Sequence, residues 1–306
     1  MMNRLFLTSV VVTACSIPAI AQKGTTKRTD KKPNVLFVLS DDQSFPYASV
    51  YGCKSVQTPA FDRVAKSGIL FNNAYVTSPG SSPSRASILT GRYPWQIEDA
   101  GTHSSIFPRR YRTFPEALEQ AGYLIGFTGK GWAPGDFASE KWPYNPAGPE
   151  YNRLTLTPPY TGIFSNDYAG NFEFFLKERK EGQPFYFWFG CKEPHRPYEV
   201  DSWIKDGKDL QSALVPDYLP DIAVTKGDIL DYVVEIEWYD RQLGKMLDLL
   251  EKVGELNNTL IIVSADNGMP FPRSKANCYD QGVHVPLAIS WATVSTQAGL
   301  LTIWSP

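Results

Sequence analysis

Pro33-Asn34-Val35-Leu36-Phe37-Val38-Leu39-Ser40-Asp41-Asp42 is an apolar run that ends in two carboxylates, and Thr259-Leu260-Ile261-Ile262-Val263-Ser264-Ala265-Asp266-Asn267-Gly268 repeats the form far downstream. Unbroken β-branched and large apolar residues suit strands buried on both faces of a parallel sheet. Ligands of open α/β sheets gather beyond the carboxyl ends of such strands, so the two acidic tips are expected to meet. Asp41, Asp42, Asp266 and Asn267 offer only oxygen, a donor set for a hard cation, Ca²⁺ or Mg²⁺, rather than for zinc. Without a cation, three carboxylates so close would repel one another. Either pair alone would read as a polar strand end.

A third segment changes that reading. Ser81-Ser82-Pro83-Ser84-Arg85, running into Ala86-Ser87-Ile88-Leu89-Thr90-Gly91-Arg92, has the form of a nucleophile loop opening onto a short helix. A lone S-x-P-x-R marks a turn. Beside two acidic strand tips it points to an enzyme.

At these residues the chain resembles the formylglycine-dependent sulfatases, of the alkaline-phosphatase-like fold, from about Asn34 to Trp291. The likeness rests on N-V-L-x-x-x-x-D-D at Asn34–Asp42, S-x-P-S-R-x-S-x-L-T-G at Ser81–Gly91, G-x-x-G-K at Gly126–Lys130, the pair Pro194-His195, and D-N-G at Asp266–Gly268. Asp266-Asn267-Gly268-Met269-Pro270-Phe271-Pro272 with Lys275, Asn277 and Tyr279, and Glu193-Pro194-His195-Arg196, are most similar to the heparan N-sulfatases, or sulfamidases.

The resemblance implies a mixed α/β sheet sandwiched by helices and a hydrolase of sulfated glycans, with N-sulfated glucosamine of heparan or heparin as the favoured substrate. It implies that Ser81 is oxidised to Cα-formylglycine, whose hydrated gem-diol attacks sulfur; the second diol oxygen then expels the sulfate, which gives covalent catalysis an exit. Many relatives carry Cys at that position. Ser implies maturation by an anaerobic radical S-adenosylmethionine enzyme. Asp41, Asp42, Asp266, Asn267 and an oxygen from residue 81 would hold the divalent cation, Ca²⁺ by family habit with Mg²⁺ as the alternative. Arg85 would keep the diol and the carboxylates in register. Lys130 and Lys275 would neutralise sulfate oxygens. His195 would serve the leaving nitrogen or oxygen as an acid, or touch the sulfate, and His103 is a second candidate histidine. Ser82 carries no assigned role.

Departures from the family pattern are equally specific. Where relatives show G-K-x-H, this chain has Gly129-Lys130-Gly131-Trp132, so one contact to sulfate or leaving group is missing or falls to His103. His284 stands where Arg is common in Y-x-x-G-x-R-V-P and is read as structural. After Ile289-Ser290-Trp291 the stretch Ala292–Pro306 has no family likeness, and the expectation is an incomplete catalytic domain over 33–291 that stops before the C-terminal subdomain. Two other readings stay open: an inactive fragment that at most binds sulfated glycan, and a phosphoryl-transfer enzyme using Ser81 directly. The latter commonly needs two metals with histidine ligands, and downstream of residue 21 the histidines are His103, His195 and His284.

Composition bounds the rest. A net charge of −2 at pH 7 argues neither for nucleic acid nor for a membrane surface as partner, so an anionic substrate must meet a local basic pocket. Met1-Met2-Asn3-Arg4, the apolar Leu5–Ala14 and Ala19-Ile20-Ala21 read as a signal peptide cleaved before Gln22, which implies export to the periplasm. Val12-Thr13-Ala14-Cys15 is the rival, a lipid anchor on Cys15. Residues 22–32 read as a disordered leader, and no later stretch reaches the ~20 apolar residues of a membrane span. Cys53, Cys191 and Cys278 are too scattered for a C-x-x-C site. Helices are expected from Thr58-Pro59 to Gly68, from Thr113 to Gly122 and from Ile229 to Val253, and strands at Tyr123–Thr128, Phe185–Gly190 and Thr259–Ala265. The acids Asp231, Glu235, Glu237 and Asp240 are expected on a solvated helix face. Trp132–Ser165 should be a long loop near the substrate mouth whose tyrosines either pack it down, the favoured role, or stack on a sugar.

Overall fold

The computed structural model describes residues 31–291 and the short strand Gly299–Leu301. The expected signal peptide, Cys15, the leader up to residue 30 and most of the 292–306 tail lie outside the described residues. The chain falls into two units, Met1–Lys31 and Lys32–Pro306, and the sheet and its helices belong to the second.

The described strands are β1 Asn34–Ser40, β2 Ile69–Phe71, β3 Leu124–Gly129, β4 Phe185–Gly190, β5 Thr259–Ala265, β6 Leu287–Ser290 and β7 Gly299–Leu301. They form one sheet in the order β3-β4-β1-β5-β6-β2-β7. The pairs β3/β4, β4/β1, β1/β5 and β2/β7 are parallel, whereas β6 runs antiparallel to both β5 and β2. The helices are α1 Pro59–Lys66, α2 Ser81–Thr90, α3 Phe114–Gln120, α4 Tyr168–Lys177, α5 Ser202–Lys205, α6 Ala223–Lys252 and α7 Asp280–Val283.

Side-chain alternation along β4 explains the layers, because successive residues of a strand face opposite sides. Phe185, Phe187 and Phe189 pack with Leu36 and Val38 of β1 against α1, α4 and α6, through Phe61, Phe172, Phe175, Leu243 and Met246. Tyr186 and Trp188 face the other way, with Leu39, into a second cluster that includes Ala86 and Leu89 of α2 and Leu118 of α3. Each phenylalanine so buried contributes roughly 1.5–3 kcal/mol on leaving water. The mixed sheet between two helical layers is the expected architecture.

Most expected elements form within a few residues of their sequence limits. Thr113 and Glu116 close a capping box on α3. Thr58 precedes α1, yet its hydroxyl serves the Ser49 amide instead of the helix. The segment between β3 and α4 is a loop, and Tyr151 within it packs edge-on to Phe175. His284 is buried and structural: it stacks between Phe45 and Tyr75 while Nε2 meets the Asn72 carbonyl at 2.9 Å. The three cysteines in the described residues are free. No helix among the described residues is long and apolar enough to cross a membrane.

One expectation is overturned. The acids of α6 are not solvated: Asp231, Glu235, Glu237 and Asp240 are 4%, 3%, 8% and 1% exposed. Asp240 accepts the Ala60 and Phe61 amides at the start of α1, at 2.9 and 2.8 Å. Asp231 takes the Asp201 and Trp203 amides and the Ser202 hydroxyl at the start of α5. Glu237 takes the Gln57 amide and the Lys208 ammonium. Helix α6 lies beneath other helices and supplies acceptors for their orphaned first-turn amides, a role that periodicity along one helix does not reveal.

Candidate active site

The strand register brings the acids together. In β1 and β5, Ser40 stands opposite Ala265, so the residues that follow leave the sheet side by side. The Asp266 amide donates to the Ser40 carbonyl at 3.1 Å, and the Asp42 amide donates to Asp266 Oδ1 at 3.1 Å. Asp42 turns with φ +76°, a conformation open to Asp but costly for most residues. One ligand oxygen from each of Asp41, Asp42 and Asp266 lies within 4.8 Å of the others, and all three residues are buried. Asn267 Nδ2 donates to Asp42 Oδ1 at 2.7 Å, leaving its Oδ1 toward Ser81 Oγ at 3.3 Å.

The other strands deliver their own residues at the same edge. The Asp41 amide donates to the Glu193 carbonyl at 3.0 Å, which holds the Glu193-Pro194-His195 turn after β4 beside β1. The Lys130 amide donates to the Gly190 carbonyl at 2.7 Å, which brings the end of β3 to the same place. A Cβ on Gly190 would sit 1.8 Å from the Lys130 carbonyl, so this approach requires glycine.

Ser81 is the first residue of α2, after an extended Gly80. Its Oγ lies 2.9 Å from Asp41 Oδ1 and 3.0 Å from Lys130 Nζ. Arg85 falls one turn later on the same helical face. It is wholly buried, its Nε donating to Asp266 Oδ2 at 2.7 Å and its Nη1 to the Lys130 and Gly131 carbonyls. Its Nη2 has no hydrogen-bond partner and lies 4.0 Å from Asp41 Oδ1. Lys130 Nζ pairs with Asp41 Oδ2 at 2.5 Å, and Lys275 Nζ with Asp42 Oδ2 at 2.6 Å.

Both histidine candidates reach the site, His195 more closely. Its Nδ1 meets the Arg196 carbonyl at 2.7 Å. A carbonyl can only accept, so Nδ1 carries a proton, and Nε2 is the ring nitrogen that faces the acids, 3.8 Å from Asp42 Oδ2. His103 lines a cavity of about 600 Å³ with Lys275, Phe271 and Pro83, and burial with the Lys275 and Lys130 charges lowers its pKa.

The electrostatics are divided. Burial pushes Asp41 up, but the Lys130, Arg85 and His195 charges outweigh it and hold the carboxyl below its usual range. Asp42 is pushed up to about 6 by burial and by the Asp41 and Asp266 charges, against the opposing Lys275. Crowded carboxylates, a buried guanidinium nitrogen with no partner and an oxygen-only donor set suit a hard divalent cation with an anion beside it. The residues fit that group.

Ser82, which had no role at sequence level, is a positioning residue. Its Oγ donates to the Pro134 carbonyl at 2.6 Å and accepts the Ser104 amide, while its carbonyl accepts Trp132 Nε1 at 3.0 Å. Trp132, at the position where relatives carry His, is buried core and so offers no contact to substrate. Glu193 was also missed: its carboxyl, raised by burial, accepts Tyr168 Oη, Cys191 Sγ and the Phe164 amide, locking the His195 turn. The E-P-H run was the available signal.

The fold and the site together define an α/β protein in which a serine at the start of a helix stands beside a cluster of three buried aspartates. The family model described as Sulfatase matches residues 33–300. The chain belongs to the sulfatase family. It is similar to human N-sulphoglucosamine sulphohydrolase, 28% identical over 290 residues, 84% of this chain and 55% of that protein. An ulvan-active sulfatase of Formosa agariphila is 29% identical over 325 residues, 94% of this chain and 54% of the relative. The chain thus spans little more than half the length of either. Among solved structures, one in complex with its substrate D-glucosamine-2-N,6-O-disulfate matches with TM-score 0.68 at 21% identity, over 90% of this chain and 74% of the other. Another, in complex with k-i-k-neocarrahexaose, matches with TM-score 0.68 at 23% identity, over 88% and 68%. These likenesses show the alkaline-phosphatase-like fold.

Proposed function

We propose that the protein hydrolyses sulfated glycans, cleaving the S–N or S–O bond of a sulfated glucosamine, with the N-sulfate of heparan-type chains as the preferred group. One observation carries this reading: Ser81 Oγ lies 2.9 Å from Asp41 and 3.0 Å from Lys130, so the nucleophile position touches both the cation cradle and a lysine. The choice of sugar rests on the Asp266–Pro272 run and on the likeness to the human N-sulphoglucosamine sulphohydrolase. Export to the periplasm, from the signal-like residues 1–21, belongs to the same reading.

Asp41, Asp42, Asp266 and Asn267 would hold the divalent cation, Ca²⁺ before Mg²⁺, which when bound acidifies the nucleophile's oxygen and draws sulfate oxygens into place. Oxidised to Cα-formylglycine by an anaerobic radical S-adenosylmethionine enzyme, residue 81 supplies a hydrated aldehyde with a built-in exit from the covalent state. Arg85 fixes Asp266 through Nε and keeps Nη2 free for an oxygen on residue 81. Lys130 and Lys275, each paired with a carboxylate, turn toward sulfate oxygens and stabilise charge developing there. His195 receives a proton at Nε2 and hands it to the leaving nitrogen or oxygen. His103, which lines the same cavity as Lys275, contacts the sulfate or the leaving group.

The test is the mass of the tryptic peptide Ser67–Arg85 from protein matured anaerobically, followed by assay on N-sulfated and 6-O-sulfated glucosamine. Loss of two hydrogens at Ser81, with faster turnover of the N-sulfate, is expected. An unmodified serine beside a correctly modified control overturns the nucleophile; exclusive 6-O-sulfate turnover overturns the substrate.

A further inference from the structure

The run Met269–Tyr279 lines two cavities. One holds Lys275, Phe271 and His103 beside Ser81. The other, about 530 Å³, is lined by Tyr47, Leu214, Tyr218, Arg273 and Tyr279 and takes no part in the chemistry above. Arg273 stands at φ +62°, a strained backbone for a long side chain. Its guanidinium sits 6.0 Å from the Tyr218 ring centre and 4.8 Å from that of Tyr279. It is exposed, and no carboxylate among the described residues pairs with it. Two acids also line the cleft, Asp280, engaged by Tyr75 Oη and His284 Nδ1, both at 3.2 Å, and the exposed Asp217, and neither pairs with the guanidinium. Tyr218 is tied into the catalytic loop, its Oη 2.6 Å from Ser274 Oγ, and the next residue, Lys275, pairs with Asp42.

We infer that this cleft is an accessory binding site for a second anionic sugar residue of the glycan whose sulfated unit occupies the Ser81 site, an inference that rests on the function proposed above. An unpaired guanidinium is a planar, always-charged fork for sulfate or carboxylate, and flanking tyrosine rings offer faces on which a pyranose packs. Ser274 and Lys275 separate the residues that line the two cavities by one short stretch of backbone, and the inference requires a glycan long enough to meet both.

The experiment uses Ser81→Ala protein with Ca²⁺, to prevent turnover, and two probes: N-sulfated glucosamine, and a glucosamine–uronate hexasaccharide bearing N- and 6-O-sulfates. Affinities are read by calorimetry, with thermal unfolding to confirm that the added variants fold. Arg273→Ala should weaken hexasaccharide binding tenfold or more and Tyr279→Ala severalfold, while the monosaccharide binds all forms alike. Arg273→Lys should recover only part of the loss, because it restores charge without the planar fork. Unchanged hexasaccharide affinity in both alanine variants overturns the site and leaves the catalytic reading standing. Arg273-dependent hexasaccharide binding in a protein whose matured Ser81 form hydrolyses no sulfated sugar supports the site and sinks the catalytic reading. Absence of hexasaccharide binding to the parent overturns the site outright.

Discussion

Two groups of buried carboxylates sit in this molecule, one at the tips of β1 and β5 and one along α6, and they differ in what surrounds them. At the strand tips Asp41, Asp42 and Asp266 crowd within 4.8 Å of one another and meet side-chain cations, namely Lys130, Lys275 and Arg85. Along α6 the acids serve different neighbours: Asp231 and Asp240 take backbone amides at the starts of α5 and α1, and Glu237 takes an amide and a lysine. Burial alone therefore does not mark a reactive site. Mutual crowding beside side-chain cations is what sets the strand tips apart, because carboxylates so close need counter-cations or a shared proton. Glu235 is the exception within α6: its Oε2 has no partner, and burial with the Glu193 and Asp231 charges pushes it up to about 9, so it is neutral at pH 7.

The contrast can be broken at several points. Asp42→Ala should abolish turnover, by roughly a thousandfold or more if cation chemistry is lost, and should also remove any Ca²⁺-dependent rise in melting temperature. If added Ca²⁺ stabilises that variant as it does the parent, the strand tips are not the cation site. Ser81→Ala should match the loss of turnover while keeping the Ca²⁺ response, and residual sulfatase activity in it would remove Ser81 from the mechanism.

Next in size is Asp266→Asn, which leaves the Arg85 guanidinium buried without its carboxylate. It should cost about 3–5 kcal/mol in denaturant unfolding. A cost no larger than that of Asp240→Ala would put the strand-tip acids on the same footing as those of α6. Asp240→Ala removes two amide acceptors from α1 and should cost about 1–3 kcal/mol with the metal response intact. Loss of that response would erase the division between the groups.

The smallest effect sharpens the comparison through pH. Glu235 has its folded pKa, about 9, above the ordinary carboxyl value of 4.5, so the folded state carries an extra proton between them. Its contribution to stability is complete below the unfolded value and is lost as pH rises toward 9. Glu235→Gln should therefore flatten the melting-temperature profile between pH 5 and 9, gaining stability over the parent at pH 8 and nothing near pH 4. Identical profiles for parent and variant would mean that Glu235 ionises freely.

Much of the site was legible because its residues end recognisable strands or open a helix. Asp41, Asp42, Asp266, Asn267 and Ser81 lie where an apolar run meets polar residues, and parallel pairing of β1 with β5 makes the two tips neighbours. Lys130, His195 and Lys275 were legible through family likeness, since a lone lysine or histidine on a loop carries no pattern of its own. The roles of Ser82 and Glu193 were not: both act through backbone atoms of segments distant in sequence. The acids of α6 were misread for the same reason, because their partners belong to α1, α5 and a loop that periodicity cannot see.

By itself the sequence determined the strands β1, β3, β4 and β5, the helix behind Ser81, the oxygen-only donor set and the family, because these depend on local runs and fixed spacing. The tertiary structure decided the rest: which carboxylates crowd and which cap, the free Nη2 of Arg85, the protonated Nδ1 of His195 and the tyrosine-flanked Arg273. Each of these is set by distances between segments many residues apart, and such distances exist only once the sheet register and helix packing are in place.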